Sequence, residues 1–348
     1  MVLVTDQFEY VVGIDTHART HTYCLIRAQD GAVISTATFP TSSAGNARAV
    51  NWIGRRSQHT AVLAAAEGTS SYGSSITAAL GAAGITVAEV RPAARSTHAH
   101  SGKSDVLDAE AAARSVLGRD TAVLCQPRQA GSRTALRVLL AARAQLDHHR
   151  TANRNALNAL ARSVDLGIDA RKPLNDAQIK TISAWRTSGD NGPARIFRTE
   201  AKRLARAILE HIEQLKVNHL LLAELTEELA PGLQQISGVG PVTGAILVTA
   251  YSHRGRVRSE AAFAALGGIA PLPASSGNTT RHRLSRSGDR QLNRAVDTIV
   301  RTRMSYDEAT REYVSRRRAE GRTPREVRRC LRRYVCRAMF RELQTRMA

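Results

Sequence analysis

A change of hydrophobic period near residue 128 constrains this chain more than any other feature. From Arg128 to Pro231 strand signals vanish, and Leu136, Leu139, Leu140 and Leu146, then Leu204, Ile208, Ile212, Leu215, Leu222, Leu225 and Leu229, recur at helical spacing. Ahead of that point the apolar residues fall instead into strand-length runs. "YVVGID", "THTYCLIRA" and "AVISTATF" read as three antiparallel strands, with Gln29, Asp30 and Gly31 supplying a hairpin turn. A helix is expected over Ala44 to Arg55. "TAVLAAAEG" reads as a buried strand ending in Glu67, "SYGSSITAALGAAG" as a helix closed by Gly84, and "ITVAEVRP" as a strand stopped by Pro92. Strands followed by strand and helix alternation predict an α/β domain over about Val11 to Leu124.

The helical stretch reads as two long helices, an antiparallel coiled coil serving either dimerisation or bundling within the chain. They are joined through an irregular or partly helical crossover that carries Pro173, Gly189, Gly192 and Pro193. A third, mainly helical part opens with "LQQISGVGPVTGAILVTA". There Gly238, Val239 and Gly240 stand between two short helical patterns and resemble the turn of a helix-hairpin-helix, whose backbone N–H groups meet a DNA phosphate. A tight turn in an ordinary helical domain gives the same pattern.

Charge narrows the function. Fifty Lys and Arg against thirty Asp and Glu give a formal charge of +20, which a polyanion partner explains directly. Residues 311–348 hold thirteen Arg and four Glu, so the end of the chain is expected to be the strongest electrostatic footprint. The four cysteines are scattered, without the spacing of a disulfide frame or a zinc site, and His98 and His100 are expected at the surface rather than as ligands. With no signal segment and no long apolar window, the expectation is a cytoplasmic, nucleoid-associated protein that meets no membrane.

Against this basic background stand acids in unexpected places. Asp15 lies in the first apolar strand and Glu67 ends the fourth, each where a core strand should carry Val or Ile. In "GKSDVLDAEAAAR", Asp105 and Asp108 are three apart and share one helix face, while Glu110 turns away. Acids in a first turn also complement a helix dipole. Together with Asp15 and Glu67, however, they would repel by roughly 4 kcal/mol per pair at about 4 Å and an effective dielectric near 20, a penalty that a divalent cation removes. The layout matches ribonuclease-H-like nucleases, which use magnesium in phosphoryl transfer. "GKS" at 102–104 is no P-loop, since Thr97 stands where that motif needs Gly, and Lys103 is the better candidate for a phosphate contact.

The stretch "GGIAPLPASSGNTTRHRLSRSGDRQLNRA" is a polar loop with Arg281, Arg283, Arg286 and Arg290. A serine hydroxyl there could attack a phosphodiester while the guanidinium groups hold the developing charge, although an ordinary basic loop has the same composition.

The pieces "GIDTH", "AEGTSSYG", "EVRP", "GKSDVLDAEAAAR", "GVGPVTG" and "APLPASSGNTTRHRLSRSGDRQLNRA" occur here in the order found in DEDD-type transposases of the insertion sequence 110 family, which this chain resembles. The resemblance implies a RuvC-like domain over 8–128 whose tetrad, Asp15, Glu67, Asp105 and Asp108, binds Mg²⁺. It also implies a coiled-coil segment over 129–231 and a transposase domain over 232–348 whose nucleophile falls on Ser276, with Ser275 next in line. It further implies a composite site drawn from different subunits, a covalent phosphoserine–DNA intermediate, donor and target DNA as substrates, and a structured guide RNA that pairs with both. The assembly expected is a dimer, and a tetramer in the synaptic complex. "AARSTHAHS", where relatives are richer in Arg, departs from the pattern. Rival readings are a Holliday-junction nuclease using metal-activated water, and a non-catalytic architectural protein.

Overall fold

The structure, a computed structural model, describes residues 1–91, 104–128, 130–189, 191–273, 282–283, 285 and 287–347. It divides into two compact units, Met1–Arg128 and Gln129–Ala348.

The first unit begins with a short helix α1 (Val4–Gln7) and the strands β1 (Tyr10–Thr16), β2 (Thr20–Arg27) and β3 (Val33–Pro40). The turn between β2 and β3 closes where the Arg27 N–H donates to Ala32 C=O and the Asp30 carboxylate accepts from the Ala32 N–H. Helix α2 (Ser43–Arg56), β4 (Val62–Ala66), α3 (Ser74–Ala82), β5 (Thr86–Glu89) and α4 (Asp105–Arg114) come next. The five strands lie in the order β3-β2-β1-β4-β5; β1 is antiparallel to β2, and β4 and β5 run parallel to β1. Both faces of this sheet are covered, as its parallel half requires. Val12, Ile14, Tyr23, Leu25 and Ile53 pack on one face, and Val11, Cys24, Ile26, Ala109 and Ala113 on the other.

Two expectations shift here. The fourth strand stops at Ala66, so Glu67 is the first residue beyond it rather than its last. The third helix starts at Ser74, because residues 68–73 are taken up by a turn in which the Ser71 and Gly73 N–H groups donate to Gly68 C=O.

The second unit contains α5 (Ser132–Ser163), α6 (Asp176–Ser183), α7 (Gly192–Leu229), α8 (Pro241–Tyr251), α9 (Glu260–Leu266), the two-residue strands β6 (Leu272–Pro273) and β7 (His282–Arg283), then α10 (Arg290–Tyr306), α11 (Glu308–Ala319) and α12 (Pro324–Arg346). Helices α5 and α7 pack antiparallel. Ser132 donates to Glu228 at one end of the pair, Asn218 to Leu139 C=O further in, and Leu157 and Ala161 meet Ala201, Leu204 and Ile208 at the far end. The crossover between them folds as α6, capped by a reciprocal Asn175–Gln178 pair.

The near end of the pair merges with the helices beyond it. Leu136, Leu140 and Leu222 share one core with Val248, Phe263, Val296 and Phe340. Helix α12 enters that core on a stripe of every fourth residue, Val327, Leu331, Val335, Met339 and Leu343. Ahead of Gly238 the expected short helix is a single 3₁₀ turn, Leu233–Gln235, because Pro231 and Gly232 end the preceding chain too close to the glycines for an α-helix. Among the described residues no helix is long and apolar enough to cross a membrane.

Candidate active site

Gly13 explains how the acids of the first unit meet. A Cβ on this residue would lie 1.8 Å from the Ala109 carbonyl oxygen and 2.6 Å from the Ala113 nitrogen, so α4 rests directly on the backbone of β1. Asp105, Ala109 and Ala113 form one i, i+4 row. Two residues beyond Gly13 along the strand, about 6.6 Å, is Asp15; one turn back along the helix from Ala109, about 5.4 Å, is Asp105. With α4 running opposite to β1, the two carboxylates arrive at the same place. One ligand atom from each of Asp15, His17 and Asp105 lies within 4.8 Å of the others.

Glu67 is brought beside the end of β1 through the sheet. β4 pairs with β1 in parallel up to Ile14 opposite Ala66, and the Glu67 N–H then donates to Ile14 C=O at 3.4 Å. Thr16 Oγ1 donates to the Glu67 C=O at 3.1 Å, which ties the turn to the end of β1. Burial, then the charges of Asp15 and Asp108, push the Glu67 carboxyl up to about 7. Each of those causes disfavours a negative charge on Glu67. Asp15 is 8% exposed. Asp15, His17 and Asp105 together offer a donor set that fits a divalent cation, with Glu67 and Asp108 near enough to act electrostatically on the same cluster.

His17 was not singled out from the sequence. It follows Asp15 by two, so both face the same side of the extended chain, and its Nε2 lies 3.4 Å from Asp15 Oδ2. The legible signal was the D-x-H spacing at the end of an apolar strand.

In the second unit, Ser275, Ser276, Arg281 and Arg286 lie outside the described residues, as does Lys103 in the first. The base of the serine loop is described. β6 and β7 pair antiparallel, Leu272 opposite Arg283 and Pro273 opposite His282. Beneath it two glycine turns interlock: a Cβ on Gly268 would come within 2.7 Å of Ser287 O, and one on Gly288 within 2.7 Å of Leu266 O. The Asp289 N–H donates to Leu266 C=O, the Asp289 carboxylate caps α10, and Asn293 Nδ2 donates to Gly267 C=O. Arg290 is exposed on the first residue of that helix.

Gly238 and Gly240 precede α8 in a turn braced by α10, where Arg303 Nε donates to Ser237 C=O at 2.8 Å. The Gly240 N–H donates to Thr243 Oγ1, the Val239 N–H donates to Ile236 C=O and Pro241 has none, so part of the donor set expected to face a phosphate is engaged within the turn itself. The basic end of the chain is also partly spent within the fold. Arg337 and Arg341 pair with Glu260, Arg332 and Arg328 flank Asp297, and Arg317 pairs with Glu320. Arg318, Arg325 and Arg329 are exposed.

A mixed sheet in this order, with acids at the end of β1, just past β4 and on the first turn of the helix packed against them, matches a RuvC-like α/β domain. Residues 12–164 match a family model for DEDD transposases of the IS110 type, described as "Transposase", and residues 230–315 match one described as "Transposase IS116/IS110/IS902 family". An "Insertion element IS110 uncharacterized 43.6 kDa protein" of Streptomyces coelicolor is 34% identical over 111 residues, a match that covers 32% of this chain and 27% of that protein. The chain belongs to the IS110 family of transposases.

Proposed function

We propose that the protein is the transposase of a mobile element, a site-specific DNA recombinase that cuts and rejoins strands with Ser276 as nucleophile and with Mg²⁺ bound by Asp15, Glu67, Asp105 and Asp108. The observation that carries this reading is the meeting of acids from β1, the end of β4 and α4, with the Glu67 carboxyl pushed up to about 7 by burial and its acidic neighbours. A bound divalent ion would supply charge neutralisation for a phosphodiester in transfer. The chain's own residues would hold it: Asp15 from a buried strand, Glu67 from a turn tied by Thr16, and the two aspartates from a helix that Gly13 lets close.

In the proposed step, Ser276 Oγ forms a bond to phosphorus as the ester bond to the leaving nucleotide breaks. The serine proton ends on the leaving oxygen. One phosphodiester replaces another, so the exchange is close to neutral in free energy and its reversal reseals a strand. Arg281, Arg283, Arg286 and Arg290 hold the phosphate oxygens, with Lys103, Gly238 and Gly240 as further contacts to nucleic acid.

The division of labour runs along the chain: metal chemistry in 8–128, assembly through the helical pair in 129–231, nucleophile and basic helices in 232–348. A structured RNA from the element pairs with donor and target DNA, so that base pairing chooses the sites. Dimers and then tetramers supply acids and serine from different copies. Ser276→Ala is expected to abolish strand exchange and the protein–DNA adduct on denaturing gels while nucleic-acid binding persists; recombination by this variant would exclude the serine. Mixing Ser276→Ala with Asp15→Asn protein should restore part of the activity if different copies contribute.

A further inference from the structure

We propose that His17 is a nitrogen ligand of the metal in the acidic site, and that it gives the site a preference for manganese(II) over magnesium. The inference rests on the metal-binding part of the reading above and concerns a residue outside the acidic tetrad.

The geometry points there for three reasons. His17 is placed by the β1–β2 hairpin: its N–H donates to Thr20 C=O at 3.2 Å, directly after the last β1–β2 pair, Thr16 with His21. This fixes the ring on the side of the sheet that carries Asp15. One of its nitrogens lies within 4.8 Å of ligand oxygens from both Asp15 and Asp105. Donors bonded to a common ion at about 2.1 Å stand about 3 to 4.2 Å from one another, so a small inward shift completes the set.

The ring is also lightly held otherwise. Its Nε2 to Asp15 Oδ2 distance of 3.4 Å is longer than the roughly 2.7 to 2.9 Å of a strong ion pair, and its Nδ1 is buried with no hydrogen-bond partner among the described residues. An imidazole held by one long contact can turn a nitrogen to a cation. The donor set then becomes several carboxylates and one imidazole. Magnesium, a hard ion that takes oxygen almost exclusively, gains little from the nitrogen; manganese(II), which accepts the same octahedral oxygen set, also accepts imidazole.

The test uses manganese(II) on the full chain with no DNA. Pulsed electron paramagnetic resonance of the bound ion should show coupling to imidazole nitrogen. In His17→Ala that coupling should vanish and manganese affinity fall about 10-fold or more, with magnesium affinity, read by competition, changing less than about 3-fold. His17→Gln, which keeps the bulk of the side chain, should lose the coupling as well, and an unchanged melting temperature excludes unfolding. Asp15→Asn should weaken both ions. Asp15-dependent manganese binding without nitrogen coupling would overturn the role of His17 alone. Manganese binding that ignores Asp15→Asn would overturn the acidic site and the histidine together.

Discussion

The acidic site and the base of the serine loop are built by the same device used in opposite ways. In the first unit Gly13 lets a helix lie on a strand, and the contact carries acidic side chains that are fixed in regular elements, Asp15 on β1 and Asp105 and Asp108 on α4. In the second unit Gly268 and Gly288 let two turns interlock, and what they support is a pair of two-residue strands. Several ligands must converge on one ion at once, so their spacing has to be held by packed elements.

Substitutions at these contacts would separate the two cases. Gly13→Ala should have the largest effect, about 3 kcal/mol of lost stability, because the obstacle is helix backbone rather than a movable side chain. Denaturant unfolding would show it, and an unchanged midpoint would mean that α4 can slide. Gly288→Ala should cost about 2 kcal/mol, since φ is +115° and the new methyl would meet Leu266 O and Gly268 N at 2.7 and 2.8 Å. That loss should appear as a lower denaturant midpoint.

A smaller effect is expected from pH. The folded-state pKa of Glu67 is raised to about 7, above its ordinary 4.5, so the native chain binds the proton more tightly than the unfolded one. Stability should therefore fall as pH rises from about 4.5 through 7. Melting in chelator should show this slope, and a divalent cation or Glu67→Gln should flatten it. A slope that survives Glu67→Gln would assign it elsewhere. Smallest, and opposite in sign, is Gly81→Ala. Its Cβ would meet nothing within 4 Å on α3, so helix propensity alone should raise stability by about 0.5 kcal/mol in a thermal melt.

Much of the first unit was legible because its elements announce themselves locally. The three antiparallel strands, the Asp30 turn and the helix beginning at Asp105 arise from period, turn residues and apolar runs. The end of β4 was misjudged by a residue, and α3 by a turn, because Gly68 and Gly73 serve a turn wrapped around Glu67, and nothing in "AEGTSSYG" distinguishes that from a helix start. His17 went unnoticed for a related reason: a histidine two residues after an aspartate means little until a helix from far along the chain brings Asp105 beside both. The end of the chain reads as the strongest electrostatic footprint, yet Glu260 and Asp297 claim several of its arginines from distant helices.

Residue order alone thus determined the switch from strand to helix period, the net positive charge and the four isolated acids, since each is a property of neighbouring residues or of their sum. Tertiary structure decided which acids meet, which arginines are spent on internal partners and that a histidine joins the cluster. Those outcomes depend on a helix contacting a strand across a glycine, an approach of a few ångströms between segments about ninety residues apart.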